Sequence, residues 1–151
     1  MKKSSIQTFY ENAGKWSCLA SCYIYAVIDE LFGDIDIDAR MNILNTALYA
    51  SYVFKKGLDD EFTVYDPKTL MENFASSVGK NIKVNVVKKD IKSALELPVK
   101  GYAAVRFDYN GHSHFILFKD QKQFFNSLEF SNCVQYGKIT TARLITIERN
   151  V

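Results

Sequence analysis

Residues 14 to 33 read GKWSCLASCYIYAVIDELFG, and this stretch predicts a helix buried within a core. Ser17 is a suitable residue to begin the helix, and Gly33 is a suitable residue to follow its end. Between them the sequence is apolar on nearly every face until Asp29, and a helix that is apolar all round is expected to be buried. Cys18 should therefore lie in the first turn of a helix that runs through the core.

Two more helices are expected before the middle of the chain. One spans about residues 39 to 56, with Asp38 as its N-cap. The other begins at Asp66-Pro67, where an N-cap is followed by the proline that favours a first turn, and it ends near Gly79. Residues 90–97, DIKSALEL, are predicted to form a short helix.

The second half of the chain has the pattern of an antiparallel sheet. Asn110-Gly111, between two apolar stretches, is the strongest short signal for a hairpin. The sequence therefore predicts one α+β domain over residues 1–151, with helices first and an antiparallel sheet after them. The expected strands are IKVNVV (82–87), YAAVRFD (102–108), HSHFILFK (112–119), QFFNSLEF (123–130) and ARLITIE (142–148).

Composition excludes several classes of protein. With 151 residues, 48% hydrophobic, the chain is long and apolar enough to fold around a core of its own. A net charge of +2, with scattered lysines, gives no reason to expect a nucleic-acid partner. No apolar run approaches the roughly 18 residues of a membrane span, and no secretory signal is recognised, so we expect no membrane span and a cytoplasmic location. Nothing in the sequence calls for a cofactor.

The cysteines and histidines allow several interpretations. Cys18 and Cys22 are four apart on one helix, where a disulfide would distort the backbone. His112 and His114 point to one face of a strand, but zinc sites usually take their cysteines from tighter CxxC turns, so no metal is expected. Cys22 is expected in the core, and Cys133 is expected to be structural.

Cys18 remains as a candidate nucleophile. At a helix N-terminus it meets unpaired N–H groups and the positive end of the helix dipole, and both favour the thiolate. His114 is the expected base, and Asn126 on the next strand would orient it. Asn126 shares a face with His114 only if the loop between their strands has about three or five residues, rather than two or four.

The order of cysteine on a buried helix, histidine on a strand and asparagine on the next strand resembles papain-like cysteine peptidases. In particular, it is similar to the peptidases that remove bacteriocin leaders after a double glycine, and to their stand-alone relatives. CLASCYIYA stands where these have Cys-Gly-x-small-Cys or Ser, and SHFILF stands where they have a motif like GHFVVV. Asn12 lies six residues before Cys18, where they have glutamine, and Leu19 replaces their glycine.

This resemblance implies a cysteine hydrolase that cleaves an amide bond of a peptide or protein through a thioester. The implied catalytic residues are Cys18, His114 and Asn126, with Asn12 as an oxyanion donor beside the N–H of Cys18. Trp16 and Leu19 would line the substrate cleft, although Trp16 fits a buried anchor equally well. His112 is expected to be exposed at the hairpin tip.

Two alternatives remain open. One is a peptidoglycan amidase or endopeptidase of the NlpC or CHAP type, which has a similar order of cysteine helix and histidine strand. The other is a non-catalytic binding protein that uses a peptidase scaffold, since Leu19 and the short Asn12 depart from the family pattern.

Overall fold

The architecture is α+β, with N-terminal helices packed on a five-stranded antiparallel sheet. A computed structural model describes residues 4–128 and 131–149. Residues 129 and 130, which the sequence places in a strand, lie outside the described residues. The helices are α1 (Ser5–Trp16), α2 (Cys18–Phe32), α3 (Ile37–Phe54), α4 (Pro67–Ser77) and α5 (Asn132–Tyr136), and the strands are β1 (Ile82–Asp90), β2 (Tyr102–Tyr109), β3 (His112–Lys119), β4 (Lys122–Phe125) and β5 (Lys138–Arg149).

The buried helix that the sequence predicts is confirmed. α2 begins at Cys18, and every residue from Ala20 to Asp29 is buried. α1 precedes it and is not predicted by the sequence analysis. Its start is a capping box, in which the Ser4 hydroxyl accepts from the N–H of Gln7 and the Gln7 side chain accepts from the N–H of Ser4.

The predicted helices that correspond to α3 and α4 agree with the structure except at their ends. The carboxylate of Asp36, rather than that of Asp38, caps α3 by accepting from the N–H of Ala39, so the predicted start is two residues late. α4 begins at Pro67 after the Asp66 cap, as expected. The helix predicted over residues 90–97 is wrong, because β1 continues to Asp90 and only a 3₁₀ turn, Ala94–Glu96, follows. α5 is not predicted either.

The sheet has the strand order β1-β5-β2-β3-β4, and each pair of neighbours is antiparallel. Tyr109 pairs with His112, so Asn110 and Gly111 form the predicted two-residue turn, both with positive φ. One core lies between the sheet and α2, α3 and α4, and a second core lies on the opposite face, against the 3₁₀ turn and α5.

Of the helices in the described residues, none combines the length and the apolar character needed to span a membrane.

The turn between β3 and β4 differs from the prediction. Lys119 pairs with Lys122 and Phe118 pairs with Gln123, so the loop has two residues, Asp120 and Gln121, both with positive φ. The expectation of about three or five residues is therefore wrong. In a regular ladder this register would turn Asn126 away from the face of His114.

A β-bulge in β4 turns Asn126 back to the face of the sheet on which His114 lies, which the two-residue loop alone would not do. The next pair joins Leu117 to Phe125, so Phe124 is an extra residue with no partner of its own on β3. The shift of one residue reverses the facing of everything after it. Asn126, the first residue beyond β4, therefore reaches His114.

A buried carboxylate joins four elements of the fold. Asp29, on α2, has a side chain that is 5% exposed. One oxygen accepts from Arg40 Nη1 of α3 at 2.8 Å. The other accepts from the Tyr102 hydroxyl of β2 at 2.5 Å and from Lys119 Nζ of β3 at 2.7 Å. Because each donor lies on a different element, the carboxylate fixes α2 against α3 and the sheet.

Replacing this carboxylate should destabilise the protein strongly. We expect Asp29→Asn to lower the free energy of unfolding by about 3 kcal/mol, because Arg40 and Lys119 lose the counter-charge that the buried carboxylate supplies. Urea unfolding followed by circular dichroism measures this loss. Asp34→Asn is the matched control at an exposed position and should stay within about 0.5 kcal/mol of the wild type. A loss below about 1 kcal/mol for Asp29→Asn would contradict the role given to this carboxylate.

The same carboxylate should make stability depend on acid pH. Burial alone raises the pKa of Asp29, but hydrogen bonds from Lys119, Tyr102 and Arg40 outweigh it and hold the pKa below the ordinary 3.8. The contribution of the Asp29 carboxylate to the free energy of unfolding is therefore fully present above the ordinary pKa of 3.8. It is lost as pH falls through the lowered pKa of the folded protein. The difference in unfolding free energy between wild type and Asp29→Asn should shrink as pH falls from about 5 to below about 3. A constant difference over that range would overturn this assignment.

Candidate functional site

His114 and Asn126 are in direct contact, as the sequence analysis expects. His114 lies on β3 with its side chain buried, and its Nε2 is 2.7 Å from Asn126 Oδ1. The same Oδ1 accepts from the backbone N–H of Leu128 at 3.0 Å. The loop after β4 therefore holds the asparagine in place, and the asparagine holds the imidazole.

This contact assigns the tautomer of the imidazole. An amide oxygen carries no proton, so the hydrogen between it and Nε2 of His114 belongs to Nε2. The N–H of Leu128 at the same oxygen supports the assignment of Asn126 Oδ1, because a backbone N–H needs an acceptor. The neutral ring then carries its lone pair on Nδ1, which is the form a proton acceptor requires.

Cys18 lies where the start of α2 meets the edge of β3. β4 pairs with β3 only between Leu117 and Lys119, which leaves the preceding part of that edge uncovered. The sulfur of Cys18 is close to the backbone N–H of Phe115 on that edge, as well as to the N–H groups of Leu19 and of Cys18 itself. The thiol thus lies beside the residue that follows His114.

Burial decides the protonation of Cys18. Desolvation raises the pKa of its thiol above the ordinary 9.0, although the N–H groups of Phe115, Leu19 and Cys18 act in the opposite direction. The N–H groups at the start of α2 act toward the thiolate, as the sequence analysis expects, but burial acts more strongly in the opposite direction. The backbone N–H groups are present, but removal of water from the sulfur outweighs them.

Cys18 and His114 both line a cavity of about 600 Å³. No lysine, arginine, aspartate or glutamate is among the described residues around it, so its surface combines hydroxyl, amide, imidazole and thiol groups with apolar side chains. The lining residues are Ala13, Gly14, Ser17, Cys18, Tyr109, Asn110, His112, Ser113, His114, Ser127, Leu128, Ser131, Asn132 and Cys133. His112 is exposed at the hairpin end, as expected.

The start of α2 is open toward this cavity. Ser17 is the N-cap residue by position, but its side chain makes no capping hydrogen bond and its hydroxyl donates to the carbonyl of Ala13 instead. The first N–H groups of a helix have no acceptor within that helix. Those at the start of α2 are thus left without the usual side-chain cap beside Cys18.

The other residues that the family resemblance implies lie elsewhere. Asn12 is on α1, outside the cavity lining, and its Nδ2 donates to the carbonyl of Asp60 at 2.8 Å. This placement disagrees with an oxyanion role for Asn12, because its amide is directed to the chain after α3. Trp16 is 59% exposed and Leu19 packs against the larger core, and neither lines the cavity. Leu19 therefore does not obstruct it.

Sequence analysis missed two of the segments that line the cavity. The end of α1 contributes Ala13 and Gly14, and the start of α5 contributes Ser131, Asn132 and Cys133. The capping box at Ser4 was a readable signal for α1. Cys133, expected to be structural, lies both in the second core and at the cavity.

All three cysteines are free thiols. Among residues 4–128 and 131–149, no three side chains of histidine, cysteine, aspartate or glutamate are grouped so that they could hold a metal ion together.

Comparisons of the chain with protein-family models, with curated proteins and with solved structures gave no match.

The three thiols should differ in reactivity. Cys18 is partly exposed, whereas Cys22 and Cys133 are buried, and burial raises the pKa of Cys22 well above 9.0. Iodoacetamide should therefore modify Cys18 first in the native protein, with a pH profile whose midpoint lies above 9.0. Mass spectrometry of the digested protein assigns each rate, and unfolding in urea provides the reference. A midpoint below 9.0 would show that burial does not control Cys18.

Proposed function

We propose that this protein is a cysteine hydrolase, with a papain-like arrangement, that cleaves an amide bond in a peptide or protein. Cys18 is the nucleophile, His114 is the general base and acid, and Asn126 orients the imidazole. The observation that carries the proposal is the contact of 2.7 Å between His114 Nε2 and Asn126 Oδ1, because this His114 lines the same cavity as Cys18. A third group that fixes the base is characteristic of nucleophilic sites.

The reaction begins with transfer of the thiol proton. Because burial keeps Cys18 protonated at neutral pH, the proton passes to Nδ1 of His114 as the sulfur attacks the amide carbon. The electron pair of the carbonyl moves onto its oxygen. Backbone N–H groups at the uncapped start of α2, that of Cys18 first, donate to this oxyanion.

The second half regenerates the thiol. The imidazolium gives its proton to the leaving nitrogen, the C–N bond breaks, and the acyl group stays on Cys18 as a thioester. Water then attacks the thioester while His114 takes its proton, and the proton returns to the sulfur as the carboxylic acid leaves. Throughout, Asn126 accepts from Nε2–H, which is protonated in both the neutral and the charged ring.

A binding protein on the same scaffold is the second candidate. The raised pKa of Cys18 favours it, since the resting thiol is a poor nucleophile without assistance. The two candidates differ in what they require of His114. A hydrolase needs its base, whereas a binding protein needs only the shape of the cavity.

Acylation of Cys18 separates the two candidates. An activated ester such as p-nitrophenyl acetate should transfer its acetyl group to Cys18, and the acyl-enzyme is counted by mass spectrometry at neutral pH. We expect His114→Ala to slow this step by about 10²- to 10⁴-fold, because the general base is lost. Asn126→Ala should cause a smaller loss in the same direction.

The matched control is His112→Ala, which removes a histidine from the same cavity without touching the Asn126 contact. It should change the rate by less than about threefold, well below the effect of losing a base. Since His114 is buried, His114→Gln and circular dichroism confirm that the variants are folded. Equal acylation of Cys18 in wild type and in a folded His114 variant would exclude the hydrolase and favour the binding protein.

A further inference from the structure

Arg143 is a partly buried cation that reaches across the sheet to the strand of His114. It lies on β5, and its guanidinium carbon is 4.7 Å from the centroid of the Phe115 ring on β3. β2 runs between these two strands, and the residue opposite Arg143 on β2 is the small Ala104, over which the arginine side chain can pass. A guanidinium attracts the face of an aromatic ring, and its planar shape lets it stack there.

The same guanidinium contacts two hydroxyl groups. Its Nη1 donates to Thr141 at 3.3 Å, and it also hydrogen-bonds to the hydroxyl of Tyr23 on α2. Burial raises the pKa of Tyr23 from 10.0 to about 12, so this hydroxyl is neutral at physiological pH. Within residues 4–128 and 131–149, no carboxylate forms an ion pair with Arg143. The partners of this arginine are therefore neutral groups on separate elements.

Phe115 connects these contacts to the candidate nucleophile. Its ring packs against the larger core, and its backbone N–H is close to the sulfur of Cys18. Tyr23 follows Cys18 on α2 by five residues, which is about one and a half helical turns. Arg143 thus holds a side chain of α2 and a side chain of β3 together, close to the point where the sulfur meets the strand.

We propose that Arg143 is a positioning residue, which holds the Phe115 ring and the Tyr23 hydroxyl together so that the N–H of Phe115 stays directed at the Cys18 sulfur. This inference rests on the proposed function, in which the sulfur becomes negative as its proton passes to His114. An N–H group that already faces the sulfur stabilises the developing charge without reorganisation. This donor comes from the sheet, and it adds to the N–H groups at the start of α2.

The pH dependence of Cys18 alkylation by iodoacetamide tests this role. In Arg143→Met the Phe115 N–H is no longer fixed, so the midpoint should rise by about 0.5–1 pH unit and the rate at neutral pH should fall about 3- to 10-fold. If Arg143 only stabilises the fold, the opposite shift is expected, because a loosened site admits water and burial no longer raises the pKa of the thiol. Arg149→Met, at an exposed position of the same strand, is the matched control and should keep the wild-type midpoint.

Arg143→Lys separates the position of the cationic group from its charge. Lysine keeps the charge, but its ammonium lacks the planar fork that contacts the ring and the hydroxyls at once. We expect this variant to raise the midpoint by roughly half as much as Arg143→Met, or more. A wild-type midpoint in Arg143→Lys would show that the charge alone matters, and would overturn the positioning role.

A double-mutant cycle tests the path through Phe115. Phe115→Leu removes the ring but keeps the backbone N–H, so it should raise the midpoint as Arg143→Met does. Because both changes break one contact, the double variant should shift the midpoint no further than the larger of the two single changes. Additive shifts would show that the two residues act independently, which contradicts the proposal. Phe115→Leu also carries the test if Arg143→Met does not fold.

Titratable groups on three elements lie near the sulfur: Cys22 on α2, His114 on β3 and Cys133 on α5. These variants leave all three unchanged. Because His114 adjoins Phe115 in the chain, the alkylation series is repeated with His114→Ala, where the same shift is expected. A shift that disappears in that background would mean that Arg143 acts through the imidazole, and would overturn the role given to the Phe115 N–H.

The outcomes separate this inference from the proposed function, provided that circular dichroism shows each variant to be folded. A raised midpoint in Arg143→Met supports the inference even if acylation of Cys18 does not depend on His114, and only the hydrolase is then excluded. An unchanged or lowered midpoint overturns the role of Arg143, even if acylation does depend on His114.

Discussion

The ionic contacts of Asp29 set the position of the helix that carries the candidate nucleophile. Asp29 and Cys18 lie near opposite ends of α2, and Lys119 and His114 lie toward opposite ends of β3. Eleven steps of helix and five steps of strand each cover about 16 Å, so α2 and β3 match in length between these residues. Fixing Asp29 to Lys119 at one end therefore brings Cys18 beside the strand segment of His114 at the other.

The protein around the Cys18 sulfur acts on the pKa of its thiol in two opposite ways. The backbone N–H groups that favour a thiolate are aimed at the sulfur of Cys18, but the same closeness of protein removes the water that would stabilise the charge. A thiol kept protonated reacts slowly with oxidants and alkylating agents. In the proposed mechanism the sulfur becomes a strong nucleophile only when His114 takes its proton, which restricts the reaction to ligands held in the cavity.

Sequence reasoning recovered the features that depend on local pattern. The uninterrupted apolar run predicts α2, and Asn110-Gly111 predicts the hairpin of β2 and β3, because only a few residues tolerate positive φ in such a turn. The contact between His114 and Asn126 was predicted, but from a loop of the wrong length. The loop between β3 and β4 is shorter than predicted, and the bulge at Phe124 brings Asn126 to the face of His114 instead. A bulge depends on packing across strands and has no strong local signal. The side chain of Asn12 likewise depends on a distant carbonyl, that of Asp60, which no spacing reveals.

The bulge at Phe124 makes the site depend on which residues of β4 are paired. Gln123 lies opposite Phe118 and Phe125 opposite Leu117, so Phe124 is the extra residue and the next position, Asn126, falls on the face of His114. Deleting Phe124 would straighten β4 and leave these pairs unchanged, so the amide would keep the face of His114. Closing the bulge without removing a residue would instead move Asn126 opposite Phe115 and turn it away, so the position of the amide depends on the one residue of the strand that has no partner.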